Sequence, residues 1–235
     1  MKFKKILVTG FSRSNLDESF WVRISKIADK IVFAPSADAD CLLSRFNKVD
    51  KTLIDSLPQL KYIGLLATGT GTIDLDYAKQ KKIIVCNIPG YATESVAEWV
   101  FGLILEHLRD LERAKQTAHK GNFTGDGFSA TEIRSKKFAI IGLGRIGSRV
   151  AEIAQGFGAN VYYWSRNRKK DFEKKGIIYE SFNELISSSD FISLNLLTTK
   201  ETEGILDAKC IGSIKKNALV INVSGMELVN LPALE

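Results

Sequence analysis

The stretch Gly142-Leu143-Gly144-Arg145-Ile146-Gly147 has residue types and a spacing that could do chemistry. In a dinucleotide-binding turn the first glycine makes the bend, the second lets a pyrophosphate approach the backbone, and the third lets a helix sit close to a strand. The pattern gains force only between a strand and a helix. Here the apolar run 138–141 precedes it. Ile146, Val150, Ile153, Ala154 and Phe157 then recur at helical spacing until Gly158, and a second apolar run, 161–164, follows. Strand, turn, helix and strand make one βαβ unit. The helix opened by Arg145 adds unpaired N–H groups and the positive end of its dipole. A dinucleotide is the expected ligand; a purely structural glycine turn is the alternative.

The end of the second strand bears on which dinucleotide binds. NAD sites place an acidic residue about 20 positions beyond the first glycine, to hold the ribose hydroxyls. Here that position is Ser165, followed by Arg166, Asn167 and Arg168. A carboxylate would repel the 2′-phosphate of NADP. A hydroxyl with two guanidinium groups can bind it through charge-assisted hydrogen bonds worth about 1.5–3 kcal/mol each. NADP is favoured over NAD, against the plainer reading that both arginines only face water.

These residues need a scaffold. Residues 1–92 alternate strand and helix. Strands are expected at 5–8, 31–33, 41–43, 62–67 and 83–86, a helical face at Phe20, Ile24, Ile27 and Ala28, and a helix at 74–80. Such alternation predicts a parallel sheet covered by helices. Ligands of such sheets sit beyond the carboxyl ends of the strands. That makes the loops after Leu43 and Ala67 candidate binding loops, although Thr68-Gly69-Thr70-Gly71 reads equally as a simple turn. Ser95 and Glu98 have the spacing of a capping box. A helical stripe from residue 93 to 118 would run roughly 39 Å as one helix, long enough to link two domains or build a subunit interface. Beyond 164, helices are expected at 182–188 and 207–214 and strands at 191–196 and 218–223, completing a doubly wound sheet of five strands.

Bulk properties exclude several classes. The chain has 235 residues, 45% hydrophobic and 26% charged, with a net charge of +6. No basic stripe is interleaved with aromatics, so no nucleic-acid partner is expected. No apolar run is long enough to span a bilayer. Cys41, Cys86 and Cys210 lie far apart without a CxxC pair, which predicts small buried thiols in a reducing, cytoplasmic setting. No residue is assigned to a metal.

The segments ATGTGTIDL (67–75), IPGYATESVAEWVFGLIL (88–105), IIGLGRIG (140–147), LLTTKETEGIL (196–206) and LVINVSGMELVN (219–230) carry a further signal. With these the chain resembles the D-isomer-specific 2-hydroxyacid dehydrogenases, especially the glyoxylate/hydroxypyruvate reductase and glycerate dehydrogenase branch. The resemblance implies an α/β protein with a flavodoxin-like substrate domain (1–92) and an incomplete Rossmann coenzyme domain (93–235), the latter including the linking helix. It implies reduction of a small 2-oxo acid by a nicotinamide coenzyme, and a homodimer through the 93–118 helix and the coenzyme domain. Residue by residue, Arg145 and Ile146 match pyrophosphate contacts. Leu196, Leu197, Thr202 and Val223 match positions lining the pyrophosphate, ribose or nicotinamide, and Thr68 and Gly69 match the loop that binds the substrate carboxylate.

The chain also departs from the family. Gly225 stands where the resemblance expects an arginine that holds the substrate carboxylate and polarises its carbonyl. The glutamate and histidine that handle the proton normally follow beyond residue 235, so a C-terminally truncated form is expected. His107 and His119 are not expected to replace them. Two functions follow: an impaired 2-hydroxyacid dehydrogenase, or a non-catalytic NADP-binding protein that senses coenzyme or partners an active paralogue.

Overall fold

Strands β1 (Phe3–Thr9), β2 (Ala28–Val32), β3 (Cys41–Ser44), β4 (Tyr62–Leu65) and β5 (Ile84–Cys86) alternate with helices α1 (Glu18–Ser25), α2 (Lys51–Asp55) and α3 (Leu75–Gln80) in a computed structural model of the chain. It describes residues 2–128 and 131–234; positions 1 and 235, the outer ends of the two expected domains, lie outside it. The chain divides after Tyr91 into two units.

In the first unit all strands pair in parallel, in the order β2-β1-β3-β4-β5. This is the flavodoxin-like order. A parallel sheet is buried on both faces, so its strands read as unbroken apolar runs. Ile6, Leu7 and Val8 are all buried. Leu7 packs with Leu42 and Ile63 on one side, and Ile6 and Val8 pack with Trp21 on the other.

Local details differ from the periodicity. Helix α1 ends at Ser25, and its buried residue is Trp21; Phe20 and Ile27 are exposed and Ala28 already belongs to β2. Trp21 prevails because its ring fills the core while its indole N–H donates to the Arg13 carbonyl at 2.8 Å. Against the expectation of three buried thiols, only Cys41 is buried: Cys210 is half-buried, and Cys86 is exposed because it ends the edge strand β5.

The second unit comprises α4 (Thr93–Arg109), α5 (Leu111–His119), β6 (Lys137–Ile141), α6 (Arg145–Gly156), β7 (Asn160–Trp164), α7 (Lys170–Glu173), β8 (Ile178–Tyr179), α8 (Phe182–Ser188), β9 (Phe191–Leu194), α9 (Ala208–Ser213) and β10 (Leu219–Asn222). Its parallel sheet runs β10-β9-β6-β7-β8. The chain leaves β6 toward β7 and β8, then returns to lay β9 and β10 on the other side. This is the doubly wound Rossmann arrangement, with the reversal between β6 and β9.

Alternation along β6 sends its residues to two cores. Phe138 and Ile140 pack with Val100, Phe101, Ile104, Val150 and Ala154, while Ala139 and Ile141 pack with Leu185, Ile186 and Leu206. Phe157, Phe101, Phe138 and Phe191 stack in sequence, with centroids 5.2, 5.8 and 5.5 Å apart.

The single helix expected over 93–118 is broken. Asp110 adopts a left-handed conformation (φ 48°, ψ 50°) between α4 and α5. Aspartate tolerates that region better than most residues, and the Glu106 carboxylate accepts the Glu112 N–H at 3.1 Å across the break. Burial also stops there. Helix α4 buries Ala97, Val100, Phe101 and Ile104, whereas α5 buries nothing that would hold a straight continuation. Nor does Ser95 cap α4. The helix starts at Thr93, and Ser95 Oγ donates to the Ala92 carbonyl, inside the first turn.

Candidate functional site

The glycine turn connects β6 to α6 at the carboxyl edge of the second sheet, beside the reversal of strand order. Gly142 has φ 96°, a left-handed geometry that favours glycine, and its N–H donates to the Trp164 carbonyl at 2.8 Å. A Cβ there would stand 2.7 Å from the Asn195 carbonyl oxygen. A Cβ on Gly147 would collide with the Gly142 carbonyl, so this glycine lets α6 close onto the turn. Gly144 differs from both. It is the N-cap of α6, and a Cβ there would meet nothing within 4 Å.

Open space at Gly144 belongs to a cavity of about 570 Å³. Gly142 and Gly144 form its floor. Trp164, Ser165, Arg166 and Lys169 line one side, and Asn195, Leu196, Leu197, Glu201 and Thr202 the other. Its size falls in the range of small-molecule and cofactor sites. A larger cavity of about 800 Å³ lies by His107, Lys136, Asp190 and Lys215, near the amino ends of β6, β9 and β10. Chemistry in open α/β sheets belongs at the opposite edge, so the smaller cavity is the functional candidate.

The walls are held by their own hydrogen bonds. Ser165 is 8% exposed, and its Oγ donates to the Asn167 carbonyl at 2.7 Å, shaping the loop after β7. Thr202 Oγ1 donates to the Leu197 carbonyl at 2.6 Å and accepts the Thr199 N–H at 2.9 Å, shaping the loop after β9. The Leu196 N–H donates to Ser224 Oγ, which in turn donates to the Leu194 carbonyl.

Of the expected contacts, Gly142, Gly144, Ser165, Arg166, Leu196, Leu197 and Thr202 share this cavity. Arg145, Ile146, Gly147 and Val223 are outside its lining. Arg145 is the exposed first residue of α6, whereas Ile146 and Val223 pack against the apolar core. Arg168 is also outside the lining. Its Nε and Nη2 donate to the Glu173 carboxylate at 3.0 and 2.7 Å, and its guanidinium lies 4.8 Å from the Tyr179 ring centre. The Arg168 hydrogen bonds, and then that of Tyr163, hold the Glu173 carboxyl below the usual range. Lys169 lines the wall instead, its backbone N–H donating to Tyr163 Oη at 2.6 Å. The sequence does contain the signal for this: Glu173 stands one helical turn after Lys169 and captures the preceding arginine.

The cavity fits a dinucleotide phosphate bridge. Gly144 leaves room for a group that a side chain would displace, at the amino end of a twelve-residue helix. Asn195 Oδ1 is buried with no hydrogen-bond partner among the described residues, and the residue lines the cavity.

In the first unit, Thr68 and Gly69 lie on the loop after β4. Asn87 Nδ2 donates to the Thr68 carbonyl at 2.6 Å, and a Cβ on Gly69 would meet nothing within 4 Å. At the carboxyl end of β10, a Cβ on Gly225 would collide with Thr198 Oγ1 and Glu227 Oε2. The space where an arginine stem would begin is filled. His107 and His119 are exposed, at the ends of α4 and α5.

Residues 101–235 match the family model described as D-isomer specific 2-hydroxyacid dehydrogenase, NAD binding domain. The chain is 36% identical over 196 residues to a glyoxylate reductase of Thermococcus litoralis, covering 80% of this chain and 59% of that protein. Among solved structures, a D-lactate dehydrogenase from Aquifex aeolicus complexed with NAD and lactic acid superposes with a TM-score of 0.89 at 31% identity, over 97% of this chain and 72% of that one. An acyclic imino acid reductase in complex with NADPH and D-Arg gives 0.85 at 30% identity, over 98% and 77%.

Proposed function

The chain belongs to the D-isomer-specific 2-hydroxyacid dehydrogenase family, and from that membership we propose that it binds NADP in the cavity at the amino end of α6 and reduces small 2-oxo acids poorly. The observation that carries the coenzyme reading is the pairing of an open Gly144 floor with a wall of Ser165, Arg166 and Lys169 and no carboxylate at the ribose position. Arg166 and Lys169 of the loop after β7, both in the lining, would be the cations for a 2′-phosphate. Solved relatives hold NAD in one case and NADPH in another, so the choice rests on this chain's own loop.

When bound, the coenzyme would supply a hydride to a carbonyl carbon. The chain's residues would hold and orient it: α6 N–H groups toward the pyrophosphate, Leu196 and Leu197 against its apolar faces, Thr202 fixing the loop that carries them. Residues 1–92 would serve as the substrate domain, with Thr68 and Gly69 offering backbone groups to a carboxylate. Residues 93–235 would serve as the coenzyme domain. A glyoxylate- or hydroxypyruvate-like acid is the proposed substrate class.

Poor turnover follows from Gly225. Without a guanidinium there, nothing at that position stabilises the developing alkoxide, and loss of one such electrostatic donor costs about 10²–10³-fold. The same observation favours the second reading, a non-catalytic NADP-binding protein that senses coenzyme or pairs with an active paralogue. Neither reading calls on a nucleic-acid partner or a membrane, and both suit a reducing cytoplasm. Among the described residues no helix is long and apolar enough to cross a membrane.

Two measurements test the proposal. Equilibrium titration is expected to show tighter binding of NADPH than NADH; equal affinities contradict the coenzyme assignment. Assays with glyoxylate or hydroxypyruvate and NADPH are expected to show turnover at least 100-fold below a median enzyme of about 10 s⁻¹. Ordinary rates contradict impairment.

A further inference from the structure

Charge at the carboxyl end of β10 has the opposite sign from that expected of a 2-oxo acid site. A dinucleotide laid across the reversal of strand order has its halves on opposite sides. The ribose-reading residue, Ser165, follows β7, so the nicotinamide half falls on the side of β9 and β10. There the loop after β10 is tied to the loop after β9. The Leu196 N–H donates to Ser224 Oγ and the Gly204 N–H to the Glu227 carbonyl, both at 2.8 Å. Only hydrogen stands at position 225, and the Glu227 carboxylate and the Thr198 hydroxyl close over it. Glu227 is exposed, and among the described residues no ion pair engages it.

We propose that the chain distinguishes the oxidation states of its coenzyme, holding the oxidised form more tightly than the reduced, with Glu227 as the discriminating residue. The oxidised nicotinamide ring carries a positive charge and the reduced ring none. A carboxylate on that side stabilises the first and is indifferent to the second; a guanidinium at position 225 would act the other way. Glu227 stands outside the lining of the 570 Å³ cavity, so the expected preference is at most about five-fold, the value for two unit charges about 4 Å apart in water, and it weakens as salt rises. The inference rests on the coenzyme reading above and deepens it, toward a protein whose occupancy follows the redox state of the coenzyme pool.

The test is titration of the full chain with NADP⁺, NADPH and adenosine 2′,5′-bisphosphate, by calorimetry or Trp164 fluorescence, at low and high ionic strength. E227Q keeps the shape of an exposed side chain and removes its charge. The unmodified chain is expected to bind NADP⁺ more tightly than NADPH, by up to about five-fold. In E227Q the ratio should fall toward one through weaker NADP⁺ binding alone, with the bisphosphate, which lacks the ring, unaffected. G225R, which sets a guanidinium beside Glu227, should lower the ratio further, and E227Q decides the matter if that variant does not fold. Binding of both coenzymes with the same ratio in the unmodified chain and E227Q overturns the inference alone. Failure of all three ligands to bind removes the coenzyme reading, and this inference with it.

Discussion

Arg166, Arg168 and Lys169 are three cations within four residues, and their surroundings give them different work. Arg168 is held by Glu173 and Tyr179, whereas Arg166 and Lys169 line the cavity. R166A and K169A are each expected to weaken NADPH binding by about 10–100-fold, the worth of a charge-assisted hydrogen bond, with NADH binding little changed. R168A should leave both affinities within about two-fold and instead lower Tm through the loop. S165D places a carboxylate at the ribose position and should shift preference toward NADH. Equal losses in all three alanine variants would show that the loop acts only as a diffuse positive field. At this scale the placement of the glycine turn and of Ser165 beside it was legible in the sequence because it depends on spacing alone. The pairing of Arg168 with Glu173 was not, since it depends on where a short helix aims one carboxylate.

Among the elements, β6 and α6 were the most legible. Their periodicities of two and 3.6 are strong, and burial on both sides of β6 leaves no competing arrangement. The short elements α2, α7 and β8 carry too few apolar residues to show a period. The break between α4 and α5 escaped pattern reading because the apolar spacing continues past Asp110 while the core it would face does not. Phe101 ties these elements together, 4% exposed and stacked on Phe138 and Phe157. F101A is expected to cost about 3–5 kcal/mol, the usual range for a buried aromatic, read as a lower midpoint in urea unfolding. A loss below about 1 kcal/mol would mean that the stack adds little beyond shape. D110G should be neutral or slightly stabilising, because glycine adopts the left-handed conformation at no steric cost.

For the molecule as a whole, two parallel sheets were foreseeable from the alternation of strand and helix. The chain spans 59% of the length of its Thermococcus relative, and substrate chemistry in the whole protein is accordingly a proposal. So is a homodimer through the 93–118 segment. Helix α4 presents Trp99, 63% exposed, and Leu103 on the side opposite its buried residues. Light scattering should report a dimer, and W99D a shift to monomer without loss of helical signal. A monomeric unmodified chain would contradict the interface.

The most direct measurement is NADPH binding to G144V beside the unmodified chain. Beyond its chain neighbours, a Cβ at position 144 would meet no atom of the described residues within 4 Å, and its φ of −89° suits any residue, so the fold should be unaffected and Tm nearly unchanged. The added carbons fill the space assigned to the pyrophosphate. NADPH binding should therefore fall at least ten-fold while the protein stays folded. Unchanged binding in folded G144V, or no binding by the unmodified chain, would contradict the placement of the coenzyme at the amino end of α6.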